Sequence, residues 1–157
     1  MSMKMKIEGA GDIERALGAL ARGTAKGATR RAMKKALQPV ARAAEGSPFV
    51  IAVTSKLAPR QKGRARGDRG RSKLAMYVGP VQQDGSHAPE AHLIEFGTGD
   101  RYHKSGKYVG AVMADPFMRP AWDANRERVL SILKREIWAE IEKTVERERR
   151  KAAGGSK

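Results

Sequence analysis

The sequence predicts an α+β fold, a small, mainly antiparallel β-sheet packed by a long N-terminal helix and a C-terminal helix. Three observations carry that expectation. Apolar residues recur at helical spacing near both ends, as Ile13, Leu17 and Leu20 and as Trp122, Val129, Leu133, Ile137, Ile141 and Val145. Between them, three apolar runs at 49–54, 74–81 and 91–96 have the length and composition of strands. Glycine and proline punctuate the borders of these runs. A chain of 157 residues is large enough for one core and short for two. The expected organisation is a single domain over 1–151, with a mobile basic segment at about 59–73 and a disordered tail at 152–157.

Each element follows from local pattern. Met3, Met5 and Ile7 alternate with Lys4, Lys6 and Glu8, a period of two that predicts a short edge strand. Gly9 to Gly11 break it, and Asp12 is placed to cap a helix. The Ile13 stripe resumes at Met33, Leu37 and Val40 across a weakly helical segment of small residues, 23–29. One long helix is therefore expected, kinked or ended near Gln38 by Pro39. Its other face is basic, with Arg22, Lys26, Arg30, Arg31, Lys34, Lys35 and Arg42, and is either solvated or turned toward a neighbouring subunit or DNA. Gly46, Ser47 and Pro48 signal a turn into the strand at 49–54. In the next run Leu74, Met76 and Val78 share a face, and pairing with 91–96 as a central hairpin is expected, with 82–89 as the connection. Ser105 and Gly106, between Tyr102 and Tyr108, predict a projecting hairpin or loop over 101–109 that can dock on a neighbour. From Pro120 onward the helical period holds to Val145, and Leu130 and Trp138 widen the apolar surface.

The stretch 91–122 is the one around which the rest is arranged. As a strand, 91–96 places His92, Ile94 and Phe96 on one face and Leu93 and Glu95 on the other, and Gly97, Thr98, Gly99 and Asp100 end it. After an irregular segment come Asp115, Pro116, Phe117, Met118, Arg119, Pro120, Ala121 and Trp122. Pro120 suits a first helical turn, where its missing N–H has no intrahelical partner to lose, and Phe117 and Trp122 would anchor the helix entrance against the sheet.

The pairing of Ile94-Glu95-Phe96-Gly97-Thr98 with Pro116-Phe117-Met118-Arg119-Pro120-Ala121, followed by an amphipathic C-terminal helix, resembles the HK97-type neck, or head-tail joining, proteins of long-tailed bacteriophages. The resemblance runs loosely from about residue 4 to about residue 145. It implies a structural virion protein of the phage neck or tail end, a ring of about six subunits or a multiple that joins head to tail or completes the tail. Its implied location is the virion, assembled in the host cytoplasm. Its implied partners are further copies of itself, neighbouring neck, tail-terminator or tail-tube proteins, and DNA in the lumen. Glu95, Phe96, Gly97, Thr98, Pro116, Phe117, Arg119 and Pro120 would be its conformational signature. The middle departs from the family pattern: a long basic stretch stands where members often carry a compact Pro-x-x-Thr-Gly-x-Leu segment.

Charge is distributed unevenly. Of the net +15, residues 1–73 hold 18 Lys or Arg against 5 Asp or Glu, and residues 74–157 hold 14 against 12. A basic N-terminal half attracts DNA, RNA, an anionic membrane or an acidic protein, and charge alone does not choose among them. Its densest part, Arg60, Lys62, Arg64, Arg66, Arg69, Arg71 and Lys73, faces one acid, Asp68, and is interrupted by Gly63, Gly67 and Gly70. Such a segment is expected to be mobile alone and either to order on DNA or an acidic neighbour or to serve only as a solubilising loop.

Chemistry is sparse. With no cysteine, disulfides and thiolate sites are excluded. No apolar run reaches the roughly 20 residues of a membrane span, so a soluble, cytoplasmically made protein without a membrane partner is expected. A Walker A loop fails because Gly106-Lys107 is followed by Tyr108 and preceded at the required position by Arg101. His87, His92 and His103 have no zinc-type spacing, even with Glu95 and Asp100 added. A His-Asn-His nuclease is disfavoured because the sole asparagine, Asn125, lies on the C-terminal helix. No local signature names a serine or threonine hydrolase. Neither an enzyme nor a cofactor is expected. The rivals are a standalone nucleic-acid-binding protein using the basic half, and a nucleic-acid enzyme dependent on Glu95 or Asp100.

Overall fold

The computed structural model describes residues 10–18, 20, 22–56 and 74–154. Packing is organised on one C-terminal helix, α5 (Met118–Gly154), whose 37 residues rise about 55 Å. Against it lie α1 (Ala10–Gly18), α2 (Arg22–Ala36) and α3 (Gln38–Ala43). A ribbon of β1 (Val50–Thr54) and β2 (Tyr77–Val81) follows. Then come the short helix α4 (Ala91–Phe96) and a second ribbon, β3 (Arg101–Tyr102) and β4 (Tyr108–Gly110). The class is α+β, and among the described residues the strands form two antiparallel two-stranded ribbons in place of a single sheet.

The row that holds α2 to α5 is built from the smallest apolar side chain. Ala28, Ala32 and Ala36 are buried at four-residue spacing, and Val40 and Ala44 carry the row through α3. Short side chains let two helix backbones approach closely, so dispersion contacts are dense although little area is buried per residue. Ala32 packs with Ile137 and Ile141, whereas Ala36, Val40 and Ala44 pack with Ala121 and Val129, so the two helices run antiparallel. Arg31 to Glu140 at 2.6 Å and Lys35 to Glu136 at 2.9 Å follow the same order along the edge of the seam. α1 adds Ile13 to the distal cluster, with Leu17 and Leu20 against it.

β1 pairs with β2 in the register Val50↔Val81, Ile51↔Pro80, Ala52↔Gly79, Val53↔Val78 and Thr54↔Tyr77. Ile51 and Val78 turn inward onto the cluster that also takes Phe117 and Trp122. The expected anchoring of the helix entrance against the sheet is therefore present, and Phe49 adds a ring contact to Phe117 at 6.1 Å.

Several expectations are corrected. Residues 91–96 form a helix, not a strand, so β2 takes β1 as its partner and no central hairpin with 91–96 exists. A six-residue alternation does not separate strand from helix, and the buried positions Ala88, Ala91 and Glu95 follow helical spacing. Ala, Leu and Glu in this run are also better helix formers than strand formers. The N-terminal helix is three helices. Leu20 lies in a bend after Gly18, and Leu37 is a turn between α2 and α3 where Pro39 cannot donate to the preceding turn. The segment of small residues at 23–29, expected to be the soft point, is helical, and Ala28 within it is buried. α5 starts at Met118, two residues before Pro120, and continues to Gly154, beyond the expected start of a disordered tail at Ala152. The strand expected at Met3 to Ile7, the basic segment expected to be mobile, and residues 155–157 lie outside the described residues.

Candidate functional site

The two short motifs meet in space. Glu95, only 7% exposed, points its carboxylate at the start of α5. Its Oε2 accepts hydrogen bonds from the backbone N–H groups of Phe117 and Met118, and its Oε1 accepts one from Arg119, all at 2.9 Å. A helix start leaves four backbone donors without intrahelical partners. Here three are taken by one carboxylate, and the fourth position is Pro120, which has no N–H, so every donor is accounted for. The negative charge also sits at the positive end of the helix dipole. Burial pushes the Glu95 carboxyl pKa up, but the three N–H groups and the Arg119 charge together outweigh it, leaving it below the usual carboxylate range.

The rest of the first motif clamps the approach to α5. The Arg119 guanidinium lies over the Phe96 ring, 4.5 Å from its centroid. Gly97 has φ +70°, and a Cβ there would stand 2.8 Å from the Ala114 backbone nitrogen and 2.9 Å from the Val112 oxygen. Only glycine fits such a crossing without displacing backbone. The Thr98 N–H donates to the Val112 carbonyl at 2.8 Å and the Val112 N–H to the Thr98 hydroxyl at 2.9 Å. The Asp115 N–H closes the set by donating to the Ile94 carbonyl at 2.8 Å. Pro116 and Pro120 are exposed and border a shallow depression shared with Ala43, Gly46 and Pro48.

From this clasp an arm projects. Arg101↔Gly110 and Tyr102↔Tyr108 pair across the β3–β4 ribbon. A turn at His103 to Gly106 closes the tip, with the His103 N–H donating to the Lys107 carbonyl at 2.7 Å. The expected hairpin at 101–109 is thus present. The tyrosine rings pack on each other at 5.4 Å, and the Tyr108 hydroxyl donates to Asp100 at 3.1 Å. Among the described residues, seven large apolar side chains are exposed, and five of them, Phe96, Tyr102, Tyr108, Val109 and Met113, belong to the arm or its base. Met113 is 90% exposed. Arg101, Lys104 and Lys107 give the same arm a positive surface.

The eight residues singled out in the sequence, Glu95, Phe96, Gly97, Thr98, Pro116, Phe117, Arg119 and Pro120, therefore fall in one local construction. Arg60, Lys62, Arg64, Arg66, Arg69, Arg71 and Lys73 lie outside the described residues. Met113 is absent from the sequence-level candidates, because a lone methionine in an irregular segment carries no periodic signal. Both Glu95 oxygens accept backbone N–H groups, and among the described residues no group of three His, Asp or Glu is gathered that could hold a cation.

Compared with protein-family models, curated proteins and solved structures, the chain matches none.

Proposed function

We propose that this chain is a non-enzymatic structural subunit of a bacteriophage neck or tail end, which assembles with copies of itself into a ring of about six or a multiple. The observation that carries the reading is the arm: a ribbon with packed tyrosines and exposed Val109 and Met113, held out from a clasp that fixes its base. An isolated apolar arm has no reason to stay in water, and a ring needs a surface on each subunit that seats on a different surface of the next. The order of the Glu95-Phe96-Gly97-Thr98 and Pro116-Phe117-Met118-Arg119 motifs supplies the resemblance to the head-tail joining family. Their contact through one carboxylate supports reading the two as a single unit.

The test is the mass of the purified protein by light scattering, alone and mixed with the neck and tail proteins of the same particle. A ring-sized oligomer, or incorporation into a particle with those proteins, is the expected result. Tyr102→Ser combined with Val109→Ser should reduce assembly by tenfold or more while leaving the circular dichroism spectrum unchanged. A protein that stays monomeric in both settings refutes the reading.

A further inference from the structure

Helix α2 carries two sets of cations with different surroundings. Arg31 and Lys35 flank the seam with α5, where Glu140 and Glu136 neutralise them. Lys26, Arg30 and Lys34 are exposed and form no ion pair among the described residues. Four-residue spacing puts these three in one row about 12 Å long. Helical geometry sets that row roughly 160° around the axis from the buried Ala28, Ala32 and Ala36, of which Ala32 and Ala36 pack on α5. The packing that buries the alanines therefore turns the cations outward.

The row has no apolar component. Gly23 and Gly27 lie on the same side, and none of the large exposed apolar side chains belongs to α2. A protein partner is held by an apolar centre that excludes water. A phosphodiester backbone asks instead for closely spaced cations and close approach, and the glycines permit that approach. No aromatic residue occurs in α2, so nothing there stacks on bases.

We propose that Lys26, Arg30 and Lys34 form a binding row for the phosphate backbone of duplex DNA, indifferent to sequence. A duplex presents one phosphate per about 1.7 Å of its axis, so about seven run alongside the row in any register. This binding belongs to the single subunit and goes beyond ring assembly.

The experiment is fluorescence anisotropy of the full chain on a labelled duplex over a salt series. The parent is compared with the triple variant Lys26→Gln, Arg30→Gln, Lys34→Gln, and with a charge-matched control, Arg128→Gln, Lys143→Gln, Arg147→Gln, on exposed positions of α5. The parent is expected to bind. Loss of three phosphate contacts should make the plot of log affinity against log salt shallower by about 2.7, while the slope of the control should change by less than half as much. A parent that does not bind, a triple variant with the parent's slope, or a control that loses as much would each overturn the proposal. Poly-glutamate bound as tightly as the duplex, with the same loss in the triple variant, would overturn it in favour of an acidic protein partner. The measurement is made at protein concentrations where light scattering shows a monomer, so each of these failures leaves the ring reading standing, and a failure to assemble leaves this one standing.

Discussion

Replacing Glu95 by alanine removes the group that closes the start of the longest helix. Three backbone donors at 2.9 Å lose a charged acceptor. A hydrogen bond to a charged group contributes about 1.5–3 kcal/mol, which as a simple sum for three bonds would exceed what the site can lose. Two effects reduce it. Arg119 and Pro120 are exposed, so water reaches part of the freed turn, and the cost of burying the carboxylate disappears with it. A single helix cap is worth about 0.5–2 kcal/mol, and for three bonds from one buried carboxylate a net loss of about 3 kcal/mol follows. For a chain of this size that lowers Tm by about 6–12 °C. The assay is urea and thermal unfolding followed by circular dichroism, at concentrations where parent and variant have the same mass, since assembly itself stabilises. Glu95→Gln keeps the shape but offers one acceptor and turns an NH2 donor toward another donor, so at least half of the loss should remain. A loss below about 1 kcal/mol for Glu95→Ala would show that α5 does not depend on this cap, and the clasp argument would fall.

Acid should reproduce part of that loss. The folded Glu95 pKa is depressed, so its contribution is complete above the unfolded glutamate value of about 4.3 and disappears as pH falls from there through the folded value. Glu136, with Lys35 as its main cause, and Glu140, where burial is outweighed by Arg31 and Lys35, are depressed in the same direction and add to the same window. Urea midpoints measured from pH 6 to pH 3 should fall more steeply for the parent than for Glu95→Gln, and equal slopes would contradict the assignment. Gly97→Ala forces a Cβ to 2.8 Å from backbone at φ +70°, and a loss of about 3 kcal/mol in the same unfolding assay is expected. Thr144 is fully buried and its hydroxyl has no hydrogen-bond partner among the described residues, so the isosteric Thr144→Val should stabilise by about 1 kcal/mol. A lower urea midpoint in that variant would mean that the hydroxyl is satisfied in solution.

Regular periods carried the parts of the fold that were legible in the sequence. The C-terminal helix, the strand at 49–54, the strand ending at Val81, the kink at Pro39 and the ribbon between Tyr102 and Tyr108 all rest on signals within a few residues of one another. Where a signal was ambiguous over a short range, it misled. Residues 91–96 alternate well enough to read as a strand; helix propensity opposes that reading only weakly, and the environment of Glu95 decides it, because a carboxylate buried beside open backbone donors is favourable and one buried in a sheet face is not. The alanine row of α2 was likewise hidden. Alanine is a weak hydrophobic marker, and the larger Met33 and Leu37, which drew attention to a different stripe, are only half buried.

The sequence by itself determined the α+β class, the helical ends, the ribbon at 101–109 and the two short motifs at 95–98 and 116–121. Tertiary structure alone decided that those motifs form one clasp through Glu95, that β1 is the partner of β2, and that Lys26, Arg30 and Lys34 face outward while Arg31 and Lys35 are neutralised. The reason is one of range. Propensity, periodicity and turn chemistry act between near neighbours in the chain, whereas Glu95 meets Arg119 and Arg31 meets Glu140 across 24 and 109 positions, where only the packed arrangement of the helices determines which donor meets which acceptor.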